Sequence, residues 1–152
     1  MSTDTSPAVN LYLVVGYDGS PPAIRALDAA VRLLNGRAGS IDVLYVAHMP
    51  AVDMMSADAL AEMRVDFDDI ERELRTAAGE QLSGREDRWK FERRQGGIAD
   101  ELLAAAQATQ DAHPDDTVAI LVGSSSQAMH RLVGSVAVSM VRRAPVPVVV
   151  VP

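Results

Sequence analysis

The residues best placed to do chemistry lie late in the chain, in Gly123-Ser124-Ser125-Ser126-Gln127-Ala128-Met129-His130-Arg131-Leu132-Val133-Gly134-Ser135. The apolar run Val118–Val122 precedes this loop and a short helical segment follows it. A strand, a small-residue loop and a helix start together form one arrangement that holds a phosphate. Glycines let the backbone approach an anion, and the unpaired N–H groups of the first helical turn point at it. The charges agree: no Asp or Glu follows Asp116, whereas Arg131, Arg142 and Arg143 do. A run of core strand would also lack carboxylates, without any ligand.

Other chemistries find less support. His130 beside the serines suggests a nucleophile pair, but there is no G-x-S-x-G elbow, and the other histidines are the distant His48 and His113. Their spacing is not that of a metal site. The G-x-x-x-x-G-K-[ST] phosphate loop is absent, as is the Ser-Gly-Gly-x-Asp-Ser loop of the ATP pyrophosphatases. With no Cys in 152 residues, disulfides and thiolate metal sites are excluded.

A formal net charge of −7 argues against general nucleic-acid binding, which needs a Lys/Arg surplus. It leaves room for a small anion in a local positive field. Residues 1–10 are polar and unlike a signal peptide. No apolar run nears the roughly 20 residues of a membrane helix. The expectation is a cytoplasmic protein, with residues 1–10 a flexible lead-in and 11–152 one domain.

The elements that must position the loop follow from periodicity. Leu11 to Gly16 reads as a buried strand. Ser20 caps a helix with Pro21-Pro22 just inside it, Ile24, Leu27, Val31 and Leu34 on one face, and Gly36 at its end. Ile41 to Ala47 is a second strand. A Met- and Pro-rich loop leads to a long helix with Leu60, Met63, Phe67, Ile70, Leu74 and Ala78 on one face. Asp87 to Arg94 alternates apolar and charged residues, as an edge strand does. Gly96-Gly97 opens a third helix facing the core with Ile98, Leu102, Leu103 and Ala106. A fourth strand, the loop, a helix from about Ser135 to Arg143 and a strand Val146–Val151 complete the chain. This βαβαβαβαβ alternation predicts an α/β, doubly wound, five-stranded parallel sheet in the order 3-2-1-4-5 with helices on both faces. Ligands in such sheets bind where the winding reverses, outside the carboxyl ends of the strands. Here that joins Tyr17-Asp18-Gly19 to Gly123 and the residues after it.

At this point the chain resembles the universal stress protein family over nearly its whole length. The resemblance rests on Val14-Val15-Gly16-Tyr17-Asp18-Gly19-Ser20, on Ile41 to His48, and on Ile120-Leu121-Val122-Gly123-Ser124 through Gly134-Ser135-Val136-Ala137. In the ATP-binding branch the loop reads G-x2-G-x9-G-[ST]. Gly123 matches the first glycine and Gly134-Ser135 the last pair. Ser126 replaces the middle glycine, and the segment before Gly134 is two residues shorter. The resemblance implies an adenine-nucleotide site for ATP, with Mg²⁺ carried in by the nucleotide. Asp18 would contact the ribose or adenine side, or bond its own turn; the Val46 backbone would pair with adenine. Gly16, Tyr17, Val122, Gly123, Ser125, Ser126, Arg131, Gly134, Ser135 and Val136 would complete the site. It further implies a regulatory stress-response module rather than an enzyme, and a homodimer through Val146–Val151. The alternative is a nucleotide-free dimeric interaction protein whose shortened loop does not bind ATP.

Overall fold

The computed structural model describes residues 6–48, 52–124 and 135–152. Five parallel strands run Leu11–Gly16 (β1), Gly39–Ala47 (β2), Trp89–Gln95 (β3), Thr117–Gly123 (β4) and Val148–Val151 (β5), in the order β3-β2-β1-β4-β5. The helices between them are Pro21–Leu34 (α1), Ala57–Gln81 (α2), Ile98–Ala112 (α3) and Ser135–Arg143 (α4). Winding therefore reverses between β1 and β4, as the alternation predicts.

Strand residues alternate between two cores. Leu13, Val15, Ile41, Val43, Tyr45, Phe91 and Leu121 meet Ala26, Leu27, Ala30 and Leu34 of α1 and Leu74 and Ala78 of α2. Val14, Leu44, Val118, Ile120 and Val122 meet Leu102, Ala105 and Ala106 of α3 and Ala137 and Met140 of α4. Strands buried on both faces read as continuous apolar runs, which is why β1 and β4 were visible as such. β3, at the edge, carries Lys90 on Asp42 at 3.2 Å and Arg94 on Glu92 at 3.0 Å.

Local signals hold where capping chemistry is strong. The Ser20 Oγ accepts the Ala23 N–H at 3.4 Å, with prolines in the first two helical positions. Gly36 takes φ +74° after α1 and Gly96 takes φ +137° before α3. Ser56 caps α2 through Ala59 N, a start the Met-rich loop concealed.

Several boundaries and faces differ from expectation. β5 begins at Val148, because Val146 turns into the core beside α4 and Pro147 supplies only a carbonyl, to Ile120 N. β3 begins at Trp89, since residues 82–88 form turns closed by Arg85 N to Leu82 O and Arg88 N to Arg85 O. α1 turns Ala23, Ala26, Leu27, Ala30 and Leu34 inward and leaves Ile24 exposed, because small alanines let it lie close to β1 and β4. In α3 Leu102, Ala105 and Ala106 are buried, Leu103 packs half-buried on the same core, and Ile98 is exposed. In α2 only Leu74 and Ala78 are buried. Asn10 is tied down: its N–H reaches Asp116 Oδ1 at 2.9 Å, and its carbonyl accepts from Thr117 N.

Candidate functional site

The crevice forms where β1 stops before its neighbours. Pairing of β1 with β2 ends at Gly16 opposite Leu44, with one more bond from Tyr17 N to Leu44 O at 2.8 Å. Pairing of β1 with β4 ends at Val15 opposite Leu121. Backbone groups alternate sides along a strand, so the N–H and C=O of Val46 point the same way as those of Leu44, past the end of β1. The same alternation turns the Gly123 backbone toward β1, since Ile120 N and Ser124 N bond Pro147 O and Val151 O on the β5 side. One donor and one acceptor on Val46 match the edge of an adenine ring.

Asp18 stands at the rim, exposed, with Oδ1 accepting the Ser20 N–H at 2.9 Å. This is the Asx turn that starts α1; the other oxygen has no bond among the described residues. Gly19 takes φ +76°, and a β-carbon there would meet Leu74 Cδ2 at 2.7 Å, so α2 closes one wall of the crevice.

The remaining expected residues separate into three groups. Tyr17 is 3% exposed, and its hydroxyl donates to Gln81 Oε1 at 2.9 Å, between α1 and α2. Its side chain belongs to the core, and only its backbone reaches the crevice. Val122 is likewise a core side chain, Val136 is half-buried against the α3 side, and a β-carbon on Gly16 would stand 3.2 and 3.3 Å from the Leu102 and Val122 side chains. Gly123 and Asp18 come together with Val46 around the crevice. Ser125, Ser126, Arg131 and Gly134 lie outside the described residues; Ser135 begins α4.

Tyr45 and Arg93 are additional neighbours. Tyr45 lies on the α2 side of the sheet, where burial pushes its hydroxyl up; Arg93 acts against that rise and Asp18 adds to it. Arg93 is held by Asp68 at 2.6 Å and Glu71 at 3.1 Å, both from α2. The period-2 pattern Ile41, Val43, Tyr45 was legible, but pairing across helix and strand was not.

A cavity of about 410 Å³ runs along β2 and β3 beside α3, lined by Asp42, Lys90, Arg94 and His113 among others. It does not adjoin Asp18, Val46 or Gly123. Its main charges are already paired with one another, and Arg88 is spent on the Gly39 carbonyl at 3.1 Å. Geometry at the strand ends, not cavity size, therefore identifies the candidate site.

A doubly wound parallel sheet with a crevice at its switch point defines a class of α/β folds that bind their ligands in that crevice. The model of the universal stress protein family matches residues 12–152, and the chain belongs to that family. A universal stress protein family member from Burkholderia pseudomallei is 24% identical, with a TM-score of 0.68 over 93% of this chain and 95% of that one. A universal stress protein in complex with cAMP is 22% identical, with a TM-score of 0.63 over 95% and 99%. The universal stress protein from Archaeoglobus fulgidus in complex with dAMP is 19% identical, with a TM-score of 0.53 over 95% and 98%. No curated protein matches the chain. Among the described residues, no helix is long and apolar enough to cross a membrane.

Proposed function

We propose that this chain binds an adenine nucleotide, ATP with Mg²⁺, in the crevice between β1 and β4. It acts as a cytoplasmic regulatory module rather than by turnover. The observation that carries the reading is the convergence of Val46 and Gly123 backbone groups past the end of β1, with the Asp18 oxygen that has no bond among the described residues at the rim. The solved relatives held with cAMP and dAMP support an adenine nucleotide as the ligand class. The phosphates would lie on the Gly123–Ser135 loop, under the first-turn N–H groups of the nine-residue α4. Mg²⁺ would arrive with them, bridging phosphate oxygens.

The same reading includes a homodimer through β5. That strand pairs with β4 on one side only among the described residues, and Val149 is 37% exposed. An apolar open edge of this kind associates unless it is covered.

Calorimetric titration of ATP·Mg²⁺ into the wild type and Gly134→Ala tests the nucleotide reading. Binding at tens of micromolar or tighter corresponds to about −6 kcal/mol or better. We expect such binding, weakened about tenfold or more by the substitution. No heat and no thermal shift at millimolar ATP would overturn it and leave a nucleotide-free interaction protein.

A further inference from the structure

Two tyrosines stand on the α2 side of the sheet near the end of β1, and only one of them is satisfied. Tyr17 and Tyr45 belong to the same core as Leu74 of α2. The Tyr17 hydroxyl donates to Gln81 Oε1 at 2.9 Å. The Tyr45 hydroxyl has no hydrogen bond among the described residues, although the residue is only 9% exposed. Buried polar groups are nearly always hydrogen-bonded, and one that is not calls for a reason. Among the described residues no sealed side-chain nitrogen or oxygen lacks a partner, so the Tyr45 hydroxyl keeps an opening to solvent.

The neighbours of Tyr45 show where that opening lies. On the β3 side stands Arg93, its partner in the strand register, tied to Asp68 and Glu71 of α2. On the other side β1 has ended, with Tyr17 N making the last bond, to Leu44 O. The chain then turns onto the α2 side, where a β-carbon on Gly19 would meet Leu74 Cδ2 at 2.7 Å. Asp18 lies in that turn. Its carboxylate and the Tyr45 hydroxyl therefore border the same gap, on the same side of the sheet. The charges agree. Burial raises the Tyr45 hydroxyl above the ordinary phenol value against the pull of Arg93, and Asp18 adds to the rise. At neutral pH the group is a neutral phenol with a proton to donate.

This pair has a defined complement. A carboxylate only accepts hydrogen bonds, whereas a phenol donates and accepts. Two adjacent hydroxyls of a ligand satisfy both. A nucleotide that spans from the Val46 backbone to the loop after Gly123 carries its sugar between them, past the end of β1, where Asp18 stands.

We propose that Tyr45, together with Asp18, holds the ribose diol of the bound nucleotide and makes the site selective for ribonucleotides over deoxyribonucleotides. One sugar hydroxyl donates to the Asp18 oxygen that the turn onto Ser20 leaves unused, and its neighbour bonds the Tyr45 hydroxyl. The proposal rests on the nucleotide reading above.

Calorimetry with ATP, 2′-deoxy-ATP and 3′-deoxy-ATP, each with Mg²⁺, is run on the wild type and on Tyr45→Phe. Phe keeps the ring in the core and removes only the hydroxyl; thermal melts check that the variant folds, and the wild-type comparison needs no variant. The wild type should bind ATP about fivefold or more tighter than either deoxy analogue, the size of one hydrogen bond. Tyr45→Phe should lose about fivefold on ATP and on one analogue. It should lose nothing on the other, which lacks the hydroxyl that Tyr45 holds. Equal affinity of the wild type for all three, unchanged ATP affinity in Tyr45→Phe, or an equal loss on all three would each overturn the proposal and leave the nucleotide reading in place. No binding of ATP by the wild type would overturn both.

Discussion

Gly123 lies so close to Pro22 that a β-carbon on it would stand 2.4 Å from the Pro22 carbonyl carbon. The glycine that reads as a phosphate-loop residue is thus also where the first turn of α1 crosses the end of β4. Replacement by Ala must push two backbones apart, which overpacks the site by about 1–3 kcal/mol. Urea unfolding of Gly123→Ala should show that loss without any nucleotide present. Unchanged stability would mean that α1 can shift freely.

Asp18 has two separable tasks. Its Oδ1 closes the turn onto Ser20 N, and its charge faces the crevice. Asp18→Asn keeps an acceptor for the turn and should leave the melting temperature near wild type while weakening ATP about tenfold. Asp18→Ala should lose both, with a destabilisation of about 1 kcal/mol. Equal ATP affinity in wild type and Asp18→Asn, measured by calorimetry, would leave Asp18 only its structural task.

Asp42 gives a pH-dependent test. Burial pushes its carboxyl above the ordinary 3.8, against the pull of Lys90. An acid raised by folding contributes stability below its unfolded pKa and loses it as pH rises through the folded value. At neutral pH the charged form is therefore a net cost. Asp42→Asn should stabilise the protein at pH 7, by less than about 1 kcal/mol. The gain should shrink as the pH falls into the acid range where Asp42 binds its proton. Urea titrations across that range check the sign; a gain that grows toward low pH contradicts it.

Removal of Val148 to Pro152 takes away β5 and the bond from Arg25 Nε to the Pro152 carbonyl at 2.7 Å. Light scattering should then report monomer or aggregate. Val149→Lys is the milder variant, placing a charge on the exposed strand. A dimer that survives both would lie on another surface.

The strand order 3-2-1-4-5 was legible because β1 and β4 are apolar on both faces while Trp89 and Phe91 alternate with charges. The start of α1 was legible because Ser20, Pro21 and Pro22 satisfy its orphan donors locally. These signals act within a few residues, so the sequence by itself determined the fold, its switch point and the places of Asp18 and Gly123 beside it, whereas Val46 was indicated only by the family resemblance. Contacts between elements distant in the chain were decided only by tertiary structure. The Tyr17 hydroxyl bonds Gln81, 64 residues away, and so the side chain turns from the crevice while the backbone stays in it. Ile24 faces outward because alanines, not the larger residues, set how α1 lies on the sheet. The length of α2 was readable, but its register on β3 was not, since that depends on where Arg93 meets Asp68 and Glu71. Periodicity fixes which residues share a face; only packing decides what that face meets.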